Sequence, residues 1–446
     1  MTRRSSSLGA LLLLAAQTAY AQSGSPIVPE PCRSFTPSDR PQLEARLRTT
    51  QGEEQSLGER RTKLLAAGGA DQQNSDQVRT VETEIRAKKE ALLDLLFSFE
   101  CFRTDLAPDA ALTRGPQETQ QWVEVTAYYA TNRNVIAGAL PSERYGVESA
   151  GATEYGRVAV SIPTARRPGD MPLPAVWKFE ARPDPSKHFV LKSVTPLTLD
   201  GARLEMADKL SRGKKRVLVF VHGYNVGFAD AALRTAQLAH DLAFPGVPLF
   251  FSWPSAGRTL AYWRDEESIQ LAGPAFDAFL DEIAALGASD VYVIGHSMGN
   301  RLVATTLTQR AQSGRAISNL RDLLLAAPDI NEKLFREQIA PGIAAVRGVR
   351  RTIYASSGDL ALRASKIVHS YRRVGETAGG PLVFAGFETI DASATASTLR
   401  AFGHSYVVDS RKVLGDIQDL ITLRFGADRR RLLRNGAPPD AYWILR

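Results

Sequence analysis

The stretch Val291-Tyr-Val-Ile-Gly-His-Ser-Met-Gly-Asn-Arg301 decides how this chain is read. Val291 to Ile294 are apolar and mostly β-branched or aromatic, the make-up of a buried strand. Gly295-His296-Ser297-Met298-Gly299 follows, and Leu302 to Arg310 continues with helical spacing. Strand, sharp turn and helix are the context in which G-x-S-x-G marks a raised nucleophile, not a plain turn. Gly295 and Gly299 leave room where side chains would strike the neighbouring strand and helix. The turn lifts the Ser297 hydroxyl clear of the sheet, and the positive end of the following helix favours negative charge developing there.

Upstream, Arg216-Val-Leu-Val-Phe-Val-His-Gly-Tyr-Asn225 is a continuous apolar run of the kind a central parallel strand needs, ending at His222-Gly223. A helix over 229–242, a strand over 247–253 and a longer helix over about 260–286 lead into the Ser297 strand. Downstream, Leu323-Leu-Leu-Ala-Ala-Pro-Asp329 and Arg351-Thr-Ile-Tyr-Ala-Ser-Ser-Gly-Asp359 each run strand into loop. Phe387-Glu-Thr-Ile-Asp391 is a last strand, and Phe402-Gly-His404-Ser-Tyr406 a loop before the closing helix. Earlier, 123–133 and 156–163 read as opening strands, and the Pro- and charge-rich residues 165–213 as an insertion with strand-like pieces. Strands alternating with helices predict an α/β fold with a doubly wound, mostly parallel sheet. Functional residues then belong at the carboxyl ends of its strands.

A serine alone is a poor nucleophile; it needs a base to take its proton and a carboxylate to orient that base. Of six histidines, His188 and His240 fit surface or core roles, and His369 lies in a basic helical segment. His296 is too close in the chain to reach over Ser297, and His222 fits the shaping of a strand-end turn. His404, in a glycine-flanked loop after the last strand, is the candidate base. Asp359, in the short turn Ser-Gly-Asp, is the first candidate for the orienting carboxylate, and Asp329 is the alternative. A tetrahedral intermediate needs backbone donors. Met298, next after the nucleophile, and Tyr224, after His222-Gly223, are placed to supply them.

These residues resemble the α/β-hydrolase superfamily and, more narrowly, a bacterial esterase/lipase-like family of unassigned substrate. The matching pieces are Tyr129-Ala-Thr-Asn-Arg133, Val221-His-Gly-Tyr-Asn225, Phe251-Ser-Trp-Pro254, Gly295-His-Ser-Met-Gly-Asn-Arg301, Ala327-Pro-Asp329, Ser357-Gly-Asp359 and Gly403-His-Ser-Tyr406. The order Ser297, Asp359, His404 is the order of triad residues in that superfamily. The resemblance implies a serine carboxyl-ester hydrolase with that triad, acting on a small-molecule or lipid ester, with no metal and no organic cofactor. It names no substrate, and acyl transfer to a second alcohol would use the same groups.

The N-terminal part lies outside the resemblance. Arg3 and Arg4, the apolar run Leu8 to Ala16 and Ala19-Tyr20-Ala21 form the pattern of a signal peptide ending at residue 21. Export to the periplasm or medium is the expectation, by the general or the twin-arginine route. A Pro/Ser-rich leader then precedes two helical stretches, with Leu43, Leu47, Leu57 and Leu64 on the first and Val78, Val81, Ile85, Leu92 and Leu95 on the second. That spacing suits an antiparallel helical hairpin within residues 22–115, with coiled-coil-like packing. The only cysteines, Cys32 and Cys101, flank it and fit a disulfide in an oxidising compartment, or two unrelated thiols. The hairpin suggests attachment to the envelope or a membrane surface, so a non-catalytic tethering module is the rival reading. The hydrolase-like domain is expected over 120–446, ending in a basic tail over 425–446. The formal charge of +7 is otherwise scattered, which gives no reason to expect a nucleic-acid partner.

Overall fold

A computed structural model of the chain describes residues 40–66, 76–85, 87, 88, 91, 121–173, 183–257, 262–357, 362, 371–395 and 409–446. The most apolar segments form its central strands. β4 (Arg216–Val221), β5 (Val247–Ser252), β6 (Asp290–His296), β7 (Leu320–Ala326) and β8 (Arg350–Ala355) are buried along nearly their whole length. They belong to an 11-stranded sheet that also contains β1 (Trp122–Val135), β2 (Tyr145–Pro163), β3 (Val190–Leu197), β9 (Glu388–Asp391), β10 (Leu433–Asn435) and β11 (Tyr442–Ile444). The order is β10-β11-β9-β8-β7-β6-β4-β5-β1-β2-β3. Neighbours from β1 through β11 on that path are parallel. The outer pairs β1–β2, β2–β3 and β10–β11 are antiparallel.

Both faces are covered, as a parallel sheet requires. One face carries Met206 of α2 (Leu199–Arg212), Ile269 of α4 (Tyr262–Leu271), Phe276 of α5 (Gly273–Ala285) and Leu302 of α6 (Gly299–Gln312). The other carries Phe228 and Leu238 of α3 (Phe228–Asp241) and Val413 and Leu420 of α7 (Arg411–Leu423).

Four features depart from the reading of the sequence. The single helix expected over about 260–286 is two, because Gly273-Pro274 removes a donor and starts α5 afresh. The second strand begins at Tyr145, eleven residues before the start read from the sequence, and completes a long hairpin with β1. Of the residues read as an insertion, 190–197 pair with β2 and 199–212 form α2, with Ala202, Met206 and Leu210 buried against the sheet. The basic residues 425–446 are woven into the sheet edge through β10 and β11, because Arg430 is drawn inward by Asp416 and Glu388.

The N-terminal helices α1 (Arg40–Ala66) and 76–85 are antiparallel: Arg61 pairs with Glu82 at 2.8 Å and Lys88 with Glu53 at 2.6 Å. Val81 is buried. Cys32 and Cys101, like residues 1–21 read as a signal peptide, lie outside the described residues.

Candidate active site

Register brings the site together. Val221 is opposite Gly295, and His296 is opposite Ala326, so β4, β6 and β7 end at one edge. The residues that follow, His222-Gly223, Ser297 and Ala327, therefore emerge side by side. Ser297 has φ 52°, in the left-handed region that costs a non-glycine residue about 1–3 kcal/mol. Its surroundings hold it there. The Ser297 N–H donates to the Ala326 carbonyl at 2.9 Å. The Ser297 carbonyl accepts from the Asn300 N–H at 3.1 Å, the Asn300 amide at 3.0 Å and the Asp329 N–H at 3.3 Å.

Close approach explains the glycines. A methyl group at Gly295 would lie 2.5 Å from Asn300 Oδ1, and one at Gly299 2.3 Å from the His222 carbonyl oxygen. At Gly223 it would lie 2.7 Å from Ser297 Cβ, so the loop after β4 packs directly on the nucleophile turn. Met298 is fully buried in the core and opens α6, so its N–H precedes the first helical hydrogen bond.

The half-buried loop after β4 is backed by buried polar groups. His222 stacks on Trp253 with ring centroids 5.1 Å apart. Its Nδ1–H donates to the Gly223 carbonyl at 2.8 Å, since that oxygen can only accept, and Nε2 is left to accept from the Ser252 hydroxyl at 3.2 Å. Burial, and then the neighbouring Arg133 charge, push the His222 imidazole down to about 3, so the ring is neutral at physiological pH. The Tyr224 ring packs edge-on against Tyr262, with centroids 5.2 Å apart. Asn225 has φ 56° and donates its N–H to Asp265 at 3.3 Å. Asp265, fully buried, also accepts from the Ser255 hydroxyl and from the Ala256 N–H at 2.7 Å.

Asp329 sits directly behind the turn. Its carboxylate accepts from the Tyr262 hydroxyl at 2.6 Å and pairs with Arg301 at 3.1 Å and Arg373 at 3.2 Å. Arg301 also pairs with Glu266 and donates to the Asp329 carbonyl at 2.6 Å. Burial works against the Arg301 charge, but the oxygens of Tyr262, Asp329 and Glu266 outweigh it and raise the guanidinium above its usual value. Burial raises the Tyr262 hydroxyl likewise.

The structure thus gathers Ser297, Met298, Gly295, His296, Gly299, Tyr224 and Asp329 at one strand edge. Asp359 and His404 lie outside the described residues. β8 and β9 end at that same edge, tied by the Ser357 N–H donating to the Ser393 hydroxyl at 2.9 Å. Sequence reasoning missed Tyr262 and Asp265; the available signal was a cluster of polar residues, Tyr262 to Glu267, opening a helix that packs on the core. Among the described residues no group of three His, Cys, Asp or Glu could hold a metal ion.

A doubly wound parallel sheet whose strand–Ser–helix turn carries G-x-S-x-G defines an alpha/beta hydrolase. Residues 200–424 match the family described as alpha/beta hydrolase of unknown function (DUF900), and the chain belongs to that family. No curated protein matches it in sequence. Among solved structures it is similar to an arylesterase, with 11% identity, TM-score 0.29 and coverage of 83% of this chain and 98% of that one. It is also similar to the thermophilic esterase Est2 of the Planctomycetes species Thermogutta terrifontis, with 14% identity, TM-score 0.29 and coverage of 61% and 90%. A third is brefeldin A esterase, a bacterial homologue of human hormone sensitive lipase, with 15% identity, TM-score 0.27 and coverage of 72% and 73%. Likeness of that degree says nothing about what this chain acts on.

Proposed function

We propose that the protein is an exported serine hydrolase that cleaves carboxyl or thio-esters through an acyl-enzyme on Ser297. The observation that carries this reading is Ser297 itself: a non-glycine residue with φ 52° on a turn between a central strand and a helix N-terminus. Strain of this kind persists only where surrounding structure imposes it, and it gathers at working sites.

In this reading His404 accepts the Ser297 proton as Oγ bonds to the substrate carbonyl carbon, and Asp359 orients the imidazole. The Met298 and Tyr224 N–H groups receive the oxyanion. The tetrahedral adduct collapses, its C–O or C–S bond breaks, and the leaving group departs with the proton from His404. Water, deprotonated by the same imidazole, then releases the acid and regenerates Ser297. Close packing of Gly223 on Ser297 supports the placing of Tyr224, and the ion pairs of Asp329 with Arg301 and Arg373 favour Asp359 as the orienter. Attachment through the N-terminal hairpin to an envelope surface completes the proposal.

The test is covalent labelling with a fluorophosphonate, comparing the wild type with Ser297→Ala. Labelling of the wild type alone is expected. Equal labelling, or none in either, would overturn the enzyme reading in favour of a tethering module. A p-nitrophenyl ester series of increasing acyl length then separates short-chain esterase from lipase behaviour.

A further inference from the structure

Arg133 is fully buried, yet among the described residues no carboxylate is hydrogen-bonded to it. Its Nε donates to the Ser252 hydroxyl at 2.8 Å, and Nη1 to the carbonyls of Gly146 at 3.0 Å and Ser255 at 3.1 Å. Nη2 donates to the Val226 carbonyl at 2.8 Å and faces His222 Nε2 at 3.5 Å. All five N–H bonds thus end on neutral acceptors. Burying a guanidinium without a bonded counter-charge is unfavourable. Burial pushes it down to about 9, which still leaves it cationic at neutral pH, with Asp265 and Asp230 the nearby carboxylates opposing that shift.

The chain goes to some length to aim this side chain inward. The β1–β2 register shifts on both sides of Arg133, between Thr131 and Arg133 and again between Arg133 and Val135. Bulges of this kind turn a strand residue out of its normal alternation and are found beside active sites. What Arg133 reaches is the loop after β4. It touches the ring of His222 ahead of Gly223-Tyr224 and the carbonyl of Val226 behind, while Asp265 holds the N–H of Asn225 between them. The loop is gripped at both ends around Tyr224, with Asn225 held in a left-handed conformation.

We infer that Arg133 is a positioning residue: its guanidinium, with Asp265, clamps residues 222–226 so that the Tyr224 N–H is fixed beside Ser297 for the tetrahedral intermediate. This rests on the serine-hydrolase reading above. A lysine at this position keeps the charge but supplies at most three donors, without the planar fork that reaches both sides of the loop.

The test uses Arg133→Lys and Ser252→Ala, the latter removing the Nε acceptor together with the hydroxyl that His222 Nε2 accepts from, and leaving the guanidinium in place. Arg133→Lys should lower kcat by about 100-fold, the scale of a lost oxyanion donor, with KM within about three-fold of wild type. Affinity for a boronic acid, which forms a tetrahedral adduct on the serine, should fall in step with kcat. Ser252→Ala should lower kcat by about 5-fold in the same pattern, and it carries the test if Arg133→Lys does not fold. Amide hydrogen exchange gives a readout that needs no activity: segment 222–228 should exchange roughly tenfold faster in the variants, with 156–163 unchanged. Unaltered exchange in 222–228, or kcat and KM changing together with protection lost across the sheet, would overturn the clamp. A wild type inert to fluorophosphonate would remove the hydrolase reading while the exchange data still judge the clamp.

Discussion

The Asp329 N–H donates to the Ser297 carbonyl across 3.3 Å, tying the loop after β7 to the turn that carries the candidate nucleophile. The same aspartate pairs through its side chain with Arg301 and Arg373, both of them largely buried. Its carboxylate thus neutralises cations behind the turn, which supports a structural task for it. Removing one member of a buried pair costs about 3–5 kcal/mol. Asp329→Asn should accordingly lower the thermal midpoint by roughly 10 °C. Asp359→Asn should instead abolish most of kcat while the midpoint stays near wild type. Thermal unfolding and ester hydrolysis of both variants decide it: if Asp329→Asn keeps its midpoint and loses turnover, the orienter is Asp329.

The glycines around the turn make a second contrast. At Gly299 an added methyl would meet the backbone carbonyls of His222 at 2.3 Å and Val221 at 2.7 Å, neither of which can move without dragging β4. Gly299→Ala should destabilise by more than about 3 kcal/mol, as overpacking against backbone does. Gly415, inside α7, has open space where a methyl would go. Gly415→Ala should therefore stabilise by about 0.5–1 kcal/mol through helix propensity alone. Urea midpoints measure both, and a neutral Gly299→Ala would mean that the turn and the loop after β4 are not packed as closely as described.

What the sequence made legible was whatever lies contiguously along it. The strand, turn and helix around Ser297 occupy adjacent residues, so spacing alone exposed them, and β4, β6 and β7 were plain from the apolar runs Val217 to Val221, Val291 to Ile294 and Leu323 to Ala326. α2 went unread because Pro-rich neighbours masked it, although Thr198 caps it and Ala202, Met206 and Leu210 recur every fourth residue. The polar contacts behind the site were beyond local reading. Arg133 meets Val226 across 93 positions and Asn225 meets Asp265 across 40, pairings that only the assembled sheet creates. The buried Arg430 was hidden for the same reason, since three neighbouring arginines at 429, 431 and 434 are exposed and look alike in the sequence.

His222 sets a pH dependence whose sign follows from its environment. Its folded value, about 3, lies below the ordinary 6.5. Between those limits the unfolded chain binds a proton that the folded chain refuses, so stability is full above pH 6.5 and falls as the pH drops towards 3. The difference corresponds to at most roughly 5 kcal/mol. Asp265, Asp322 and Asp416, all raised by burial, act in the opposite sense, since each takes up a proton more readily in the folded chain than in the unfolded one. Comparing variants isolates the histidine: urea midpoints of His222→Asn should decline less between pH 6.5 and 4 than those of the wild type. Parallel curves would show that His222 takes up its proton in the folded protein.

The C-terminal arginines separate a packed edge from a solvated one. Arg430 is buried, 2.7 Å from Asp416 and 3.0 Å from Glu388, and it shares Asp416 with the Tyr354 hydroxyl. Arg431, by contrast, reaches Asp419 only at 3.5 Å with its side chain in solvent. Arg430→Met would leave the buried Asp416 carboxylate without its cation, so a loss of about 3–5 kcal/mol is expected, against about 0.5 kcal/mol or less for Arg429→Ala, Arg431→Ala or Arg434→Ala. Adding Asp416→Leu to Arg430→Met should recover part of the loss, because an apolar pair no longer strands a charge. Denaturant unfolding of these five proteins reads all the terms. Were Arg430→Met as mild as its exposed neighbours, β10 and β11 would not be anchored to the sheet through this cluster, and the stability of that edge would have to come from the β9–β11 pairing alone.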